Sequence, residues 1–395
     1  MNSLALGGSQ INAVDLAAAT AAYGYDSVLV GPRGTLPEGP SLFDIAEERG
    51  VHLETFERPI IPQGARDMTR GVRDMIRLAA VHKCDLVHVY ATGMYRPAYW
   101  GPCRFGRRPW VLTVYEMTVH PQTPRGPSLI VGTEYLLEEQ SGRSNGVALI
   151  SPPVDLERDN PASVPGDEFI NALGIPDDHL RVVMVTRLDG EMKELSVALT
   201  MKAVDRLAQT GVDLIVVGTG DAEPRLRRLA EAINQRHGRR TIVLAGAMAD
   251  PRPAYSAADI VVGMGGSAAR ALAFGKPLVV CGEAGWFRTF EPASAAALFR
   301  NSFWSAEVMP NPVEELMHCL SSLIHNPKLR TSLGEYGRNF ATDRFGLPAM
   351  AERLAGVYAH ALDNYRVIDW WRDLPSELGY LRHRVSAQKL RRLNA

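Results

Sequence analysis

Two cations leave the end of an apolar run. In VVMVTRLDGEMK, residues 182–193, Arg187 stands just beyond Val182 to Val185 and Lys193 at the mouth of an amphipathic helix. The apolar run reads as a buried strand. Cations at the carboxyl end of a parallel strand make an anion clamp, because open α/β sheets bind ligands there and charge-assisted contacts are the strong ones. The chemistry such a clamp suits is departure of a diphosphate. An exposed arginine and lysine on a strand-to-helix loop would look the same.

Two glycine loops in the same half could serve the same anion. In VVGTGD, Gly218 and Gly220 leave a strand and enter a helix, which gives backbone room for a close ligand. In GMGGSAARALAFGKP, Gly263, Gly265 and Gly266 follow a strand and Ser267 can cap the next helix, whose positive end then faces the crevice of Arg187 and Lys193. Tight packing of helix on sheet demands glycine as well. Three loops of one sheet converging on one edge favour the ligand.

These loops need a sheet to hold them, and the composition allows one. The chain has 395 residues with 46% apolar content, enough for two domains with real cores. A formal net charge of −1 leaves no electrostatic footprint for nucleic acid, so an anionic ligand must be held locally. Cys84, Cys103, Cys281 and Cys319 lack metal-finger or CxxC spacing and read as reduced thiols of a cytoplasmic protein. The first residues do not read as a charged segment followed by an apolar one, and no apolar run approaches membrane length, so neither a leader nor a membrane span is expected.

The chain opens with a glycine turn at Gly7 and Gly8 feeding a helix. Its free N–H groups suit a phosphate or sugar oxygen. Only residues 1–6 precede it, so either the start is late or the first strand is unusually short. Strand-like runs follow at Ser27 to Val30, Leu86 to Tyr90, Trp110 to Tyr115, Leu129 to Val131 and Val147 to Ile150, alternating with helices such as 66–82. This alternation predicts a parallel sheet covered on both faces. The loop EMTVHPQTPRGP lies at a strand's carboxyl end, which makes Tyr115, Glu116 and His120 candidates for contacting a substrate, on what the resemblance given below makes the acceptor or sugar side. Glu283, after the strand 278–280, is a further candidate there.

The proline-rich stretch SPPVDLERDNPASVPG marks a boundary. The expected division is a first domain over 1–155, a linker over 156–166, a second domain over 167–345, which the resemblance given below makes the acceptor and donor domains, and helices over 346–395 that pack back on the first domain. In the donor domain strands at 182–185, 214–217, 241–244, 260–262 and 278–280 alternate with helices, a second doubly wound sheet. Its helix 222–235 carries Asp221 as its expected cap, Pro224 in the first turn and an apolar stripe at Leu226, Leu229, Ala230 and Ile233. The tail from Arg366 has seven Lys/Arg against three Asp/Glu, with aromatic residues interleaved. Docking on the first domain is expected; a peripheral membrane contact is the alternative.

Together, TRLDGEMK at 186–193, LIVVGTGD at 214–221, VLAGAMAD at 243–250, YSAADIVV at 255–262 and ALAFGKPLVV at 271–280 resemble the donor half of nucleotide-sugar glycosyltransferases of the GT-B fold, family 4 most closely. GGSQ at 7–10, CDLVHVY at 84–90 and SPPVD at 151–155 resemble the acceptor half less sharply. The resemblance implies an α/β architecture of two facing Rossmann-like, doubly wound domains with C-terminal helices. It implies a retaining hexosyltransferase acting on a nucleoside-diphosphate-sugar, a UDP-sugar favoured, and a small-molecule or lipid-linked acceptor, in secondary metabolite or glycoconjugate biosynthesis. By it, Arg187 and Lys193 hold the diphosphate, Gly265, Gly266 and Ser267 add helix N–H groups, Gly246 and Met248 present backbone to the nucleobase, and the Gly8 loop closes over the donor. No metal and no cofactor beyond the co-substrate is implied.

Family 4 usually places two glutamates around this turn, one for the donor sugar and one for the ribose; here they align with Val262 and Arg270. Arginine cannot accept a hydrogen bond, so Arg270 is expected to reach a phosphate instead. Many relatives also place a histidine where this chain has Tyr115 and Glu116. These departures keep two alternatives open: a catalytically silent protein of this fold that partners another transferase, and a nucleotide-sugar epimerase.

Overall fold

The computed structural model describes residues 1, 4, 8–32, 41–56, 65–90, 95–248, 250–380 and 382. Gly7, most of the short strand expected before it and the tail from residue 383 lie outside these. Among the described residues no helix is long and apolar enough to cross a membrane. The chain divides into two compact units, Met1–Pro152 with Pro348–Ala395, and Pro153–Leu347.

The first unit begins with α1 (Gly8–Thr20), β1 (Val28–Pro32), α2 (Leu42–Glu48), β2 (His52–Phe56), α3 (Ala65–Val81) and β3 (Val87–Tyr90). Then come α4 (Tyr95–Ala98), β4 (Trp110–Val114), β5 (Ser128–Val131), α5 (Glu134–Glu139) and β6 (Val147–Leu149). Strands β1 and β2 form a parallel pair, and β3 to β6 form a parallel four-stranded sheet in chain order. Every residue of β4 and β5 is buried, as expected of strands covered on both faces. The sequence pattern did not show that α4 runs into a π-helical turn, Tyr99–Phe105, with Pro102 inside it.

The second unit contains α6 (Asp167–Leu173), β7 (Leu180–Val185), α7 (Glu194–Leu207), β8 (Val212–Val217), α8 (Glu223–His237), β9 (Ile242–Gly246), α9 (Arg252–Ala257) and β10 (Ile260–Gly263). It continues through α10 (Gly266–Ala273), β11 (Leu278–Cys281), β12 (Phe287–Thr289), α11 (Ala295–Arg300), α12 (Pro312–Ile324) and α13 (Pro327–Phe345). The sheet order is β12-β11-β10-β7-β8-β9, parallel except for the edge strand β12. The core follows from the two-residue period of a strand. Val182, Met184, Leu214, Val216, Ile260 and Val262 face one way, onto α7, α8 and α12. Val183, Ile215, Val217, Val261 and Val280 face the other, onto α9, α10 and α13.

The stretch 156–166 is no free linker. Arg338 of α13 donates to the carbonyls of Leu156 at 3.0 Å and Asp159 at 3.3 Å, and Val154 bonds the backbone of Phe345 and Leu347. The chain then enters α14 (Leu347–Asp363) and the 3-10 turn Val367–Asp373, which pack within the first unit. There Asp373, 0% exposed, accepts from Arg104 and the Gly126 amide, and Glu377 accepts from Trp100.

Candidate active site at the switch point of the second sheet

The chain lays down β7 first, extends through β8 and β9 on one side, then returns to place β10 against the other side of β7. The carboxyl ends of β7 and β10 therefore flank the point where strand order reverses, the crevice in which open α/β sheets bind ligands. The loop with Arg187 leaves β7 there and the start of α10 leaves β10.

Arg187 is exposed and Lys193 half-buried at the N-cap of α7. Among the described residues neither side chain has an ion-pair or hydrogen-bond partner. Burial pushes the Lys193 ammonium below its ordinary range; neighbouring Arg187 adds to this, while Cys281, Asp189 and Glu283 oppose it. Lys193, half-buried without a partner, is costly without an anion, and together with the exposed Arg187 it is well placed to take one. Asp189, which the sequence reading passed over, builds the turn between them: its side chain accepts from the Met192 amide at 2.9 Å and its carbonyl from the amides of Lys193 and Glu194. The aspartate-glycine pair at 189–190 was the available signal, since aspartate side chains favour such turns. Asp221 does not cap α8, whose N-cap is Ala222; its carboxylate accepts from the Gly190 amide at 3.1 Å and steadies this loop.

The glycines sort into two kinds. A Cβ on Gly218, at φ +140°, would sit 1.9 Å from the Thr186 carbonyl oxygen, and one on Gly220 would sit 2.2 Å from that of Leu188. The room expected for a ligand at Gly218 is thus filled by the chain's own loop, which also bonds Thr186 N–H to Val217 and Leu188 N–H to Thr219. Gly246, Gly265 and Gly266 are the reverse: a Cβ on any of them would meet nothing within 4 Å. Gly246 ends β9 and the half-buried Met248 follows it, and Gly265 caps α10 with φ +56°. The amides of Gly266, Ser267 and Ala268 head α10 without an intrahelical partner. The Ser267 hydroxyl is already committed to the backbone of Met264.

Arg270 is placed differently from expectation. Its Nε donates to Asp159 at 3.0 Å, and Asp159 is 2% exposed, so the guanidinium is engaged within the protein rather than offered to a phosphate. Burial raises the Asp159 pKa while Arg270 pulls it down. Val262, the other position aligned with a family glutamate, is wholly buried inside β10. Glu283 follows β11; it accepts from Trp304 Nε1 at 3.2 Å and is near enough to Lys193 to influence its charge.

In the first unit Tyr115 follows β4 with its hydroxyl buried and without a hydrogen-bond partner among the described residues, and burial raises its pKa. Glu116 and His120 are exposed, and His120 Nδ1 accepts from the Gln122 amide at 3.1 Å. This loop is pinned by Tyr135 to the Met117 carbonyl and by Arg143 to that of Pro124. Gly8 opens α1, exposed, with Ser9 bonded to Gln10. His88 on β3, not singled out in the sequence, bridges Tyr358 and Thr113 at 2.7 Å each; burial, helped by the amino terminus, holds its pKa down to about 3.

Residues 179–320 match the family model for glycosyl transferases group 1. No curated protein matches the chain by sequence. Among solved structures, a glycosyltransferase from Rickettsia africae ESF-5 is similar, with 15% identity, 92% of this chain and 97% of that one covered, and TM-score 0.72. Anabaena HepE in complex with UDP-glucose follows at 17% identity, 91% and 98% coverage and TM-score 0.68. A Listeria monocytogenes structure assigned as a UDP-N-acetylglucosamine 2-epimerase is similar at 15% identity, 92% and 96% coverage and TM-score 0.62. The similar structures give the chain the GT-B fold, two Rossmann-like units, and the glycosyl transferases group 1 match lies within the second of them.

Proposed function

We propose that this chain is a glycosyltransferase that moves a sugar from a UDP-sugar to a small-molecule or lipid-linked acceptor with retention of anomeric configuration. The observation that carries the donor assignment is the pair of unpaired cations, Arg187 and Lys193, beside the head of α10 at the switch point. When the bond between the anomeric carbon and the diphosphate oxygen breaks, negative charge grows on the leaving diphosphate. Cations and amides already aimed at that position stabilise the transition state more than the bound substrate. Gly246 and Met248 then offer backbone to the base, and Tyr115, Glu116, His120 and Glu283 are the candidates on the acceptor or sugar side. Uridine is favoured because HepE was solved with UDP-glucose on the same fold. A cytoplasmic setting suits the four free thiols.

Calorimetric titration of UDP, GDP, dTDP and ADP into the wild type and Arg187→Ala tests the donor. Micromolar UDP binding that is lost in the variant supports the reading; no nucleotide binding to folded protein overturns it in favour of a silent partner. Conversion of UDP-sugar without any acceptor would place the chain with epimerases instead. NMR of the product's anomeric proton decides retention.

A further inference from the structure

We propose that His52, Glu54 and His82, in the first unit, bind a divalent transition-metal ion, with zinc the best fit. His52 and Glu54 are two apart on β2 and so project from the same face of that strand. His82 reaches them from the turn that ends α3. That turn is tight: His82 and Cys84 donate their amides back to Leu78 and Ala79, and the non-glycine Lys83 is held at φ +50°. The result is that His82 Nε2 touches Glu54 Oε2, the His52 and His82 rings lie 5.7 Å apart, and all three donor atoms fall within 4.8 Å of one another.

Zinc bonds imidazole nitrogen and carboxylate oxygen at roughly 2.0–2.2 Å, which puts ligand atoms of a tetrahedral site about 3.3 Å apart. Small side-chain rotations therefore close this triad around an ion. Two imidazoles with one carboxylate suit zinc and its transition-metal neighbours, whereas magnesium and calcium prefer oxygen alone. His52 is exposed and the other two partly so, which leaves an entry path and a coordination position for water.

The position argues for a structural role. His52 opens β2, so the triad lies toward the amino end of the parallel pair, opposite the carboxyl ends where open sheets place their ligands. The pair has only two strands, and such a sheet is marginal alone. An ion shared by β2 and the end of α3 would tie this edge to the helix that follows it in the chain.

The test uses the full chain, stripped with a chelator and titrated with zinc alone against a chromophoric competing chelator, with cobalt as a spectroscopic stand-in. One equivalent of zinc should bind and raise the melting midpoint. The His52→Gln and His82→Gln variants, which keep polar side chains of similar reach, should each lose at least about tenfold in affinity. Equal zinc stoichiometry and affinity in the double variant would overturn the site, as would no zinc binding by folded wild type; the triad would then be only a hydrogen-bonded Glu54–His82 pair. Neither readout depends on nucleotide binding or on sugar transfer.

Discussion

Arg270 of α10 gives its Nε hydrogen to Asp159, 3.0 Å away and 111 residues earlier in the chain. The contact ties the proline-rich stretch to the helix whose head lies at the candidate donor site. The side chains are 26% and 3% exposed, so loss of one partner strands the other away from water. Asp159→Ala should cost about 3 kcal/mol, and the apolar pair Asp159→Leu with Arg270→Met should recover most of it. Denaturant unfolding of the single and double variants checks this; equal stability of Asp159→Ala and wild type would remove the pair from the account.

Arg187→Ala should lower turnover by about 10²–10³, the scale for one preorganised transition-state donor. Because Arg187 is exposed, its melting temperature should stay close to wild type. A variant within threefold of wild-type rate would take Arg187 out of the mechanism.

Lys193 should trade stability for function. Burial lowers its pKa in the folded chain, so the unfolded chain holds the proton more tightly. Unfolding free energy then rises with pH between the lowered pKa and the ordinary lysine value, and the penalty is fully present below the lowered pKa. Lys193→Met should therefore melt higher than wild type at pH 7, with the difference shrinking through the alkaline range, while turnover collapses. A stability difference that stays constant with pH would refute the titration of Lys193.

The two kinds of glycine should separate on substitution. Gly218→Ala forces a Cβ to 1.9 Å from the Thr186 carbonyl and should destabilise by about 4 kcal/mol, or prevent folding. Gly266→Ala meets nothing and should stay within about 0.5 kcal/mol of wild type. Weaker UDP binding by the stable Gly266→Ala would support an anion at the head of α10.

Tyr115→Phe removes a buried hydroxyl that has no partner among the described residues. Such a loss should be neutral or slightly stabilising, by up to about 1 kcal/mol. Lower turnover without lower stability would mean that the hydroxyl serves a substrate; unchanged turnover would remove Tyr115 from the candidates.

The amino-acid sequence alone determined five strands of the second sheet and the helices between them; the short antiparallel edge strand β12 was not among them. Apolar runs such as 182–185 and 278–281 are short, β-branched and bounded by glycine or charge, and local pattern suffices for them. It also pointed to Arg187 and Lys193, because a cation just past a buried strand stands out without a partner in view. Only the tertiary structure decided what those cations face, since the order of β10 beside β7 depends on how the strands pair. It decided too that Gly218 makes room for Thr186 and that Arg270 answers Asp159, contacts that cross from one loop or segment to another. The triad His52, Glu54 and His82 joins a strand to the end of the following helix, a closeness that spacing along the chain does not encode. Periodicity reports which face of an element is buried; the neighbour across that face is set by the packing of the whole unit.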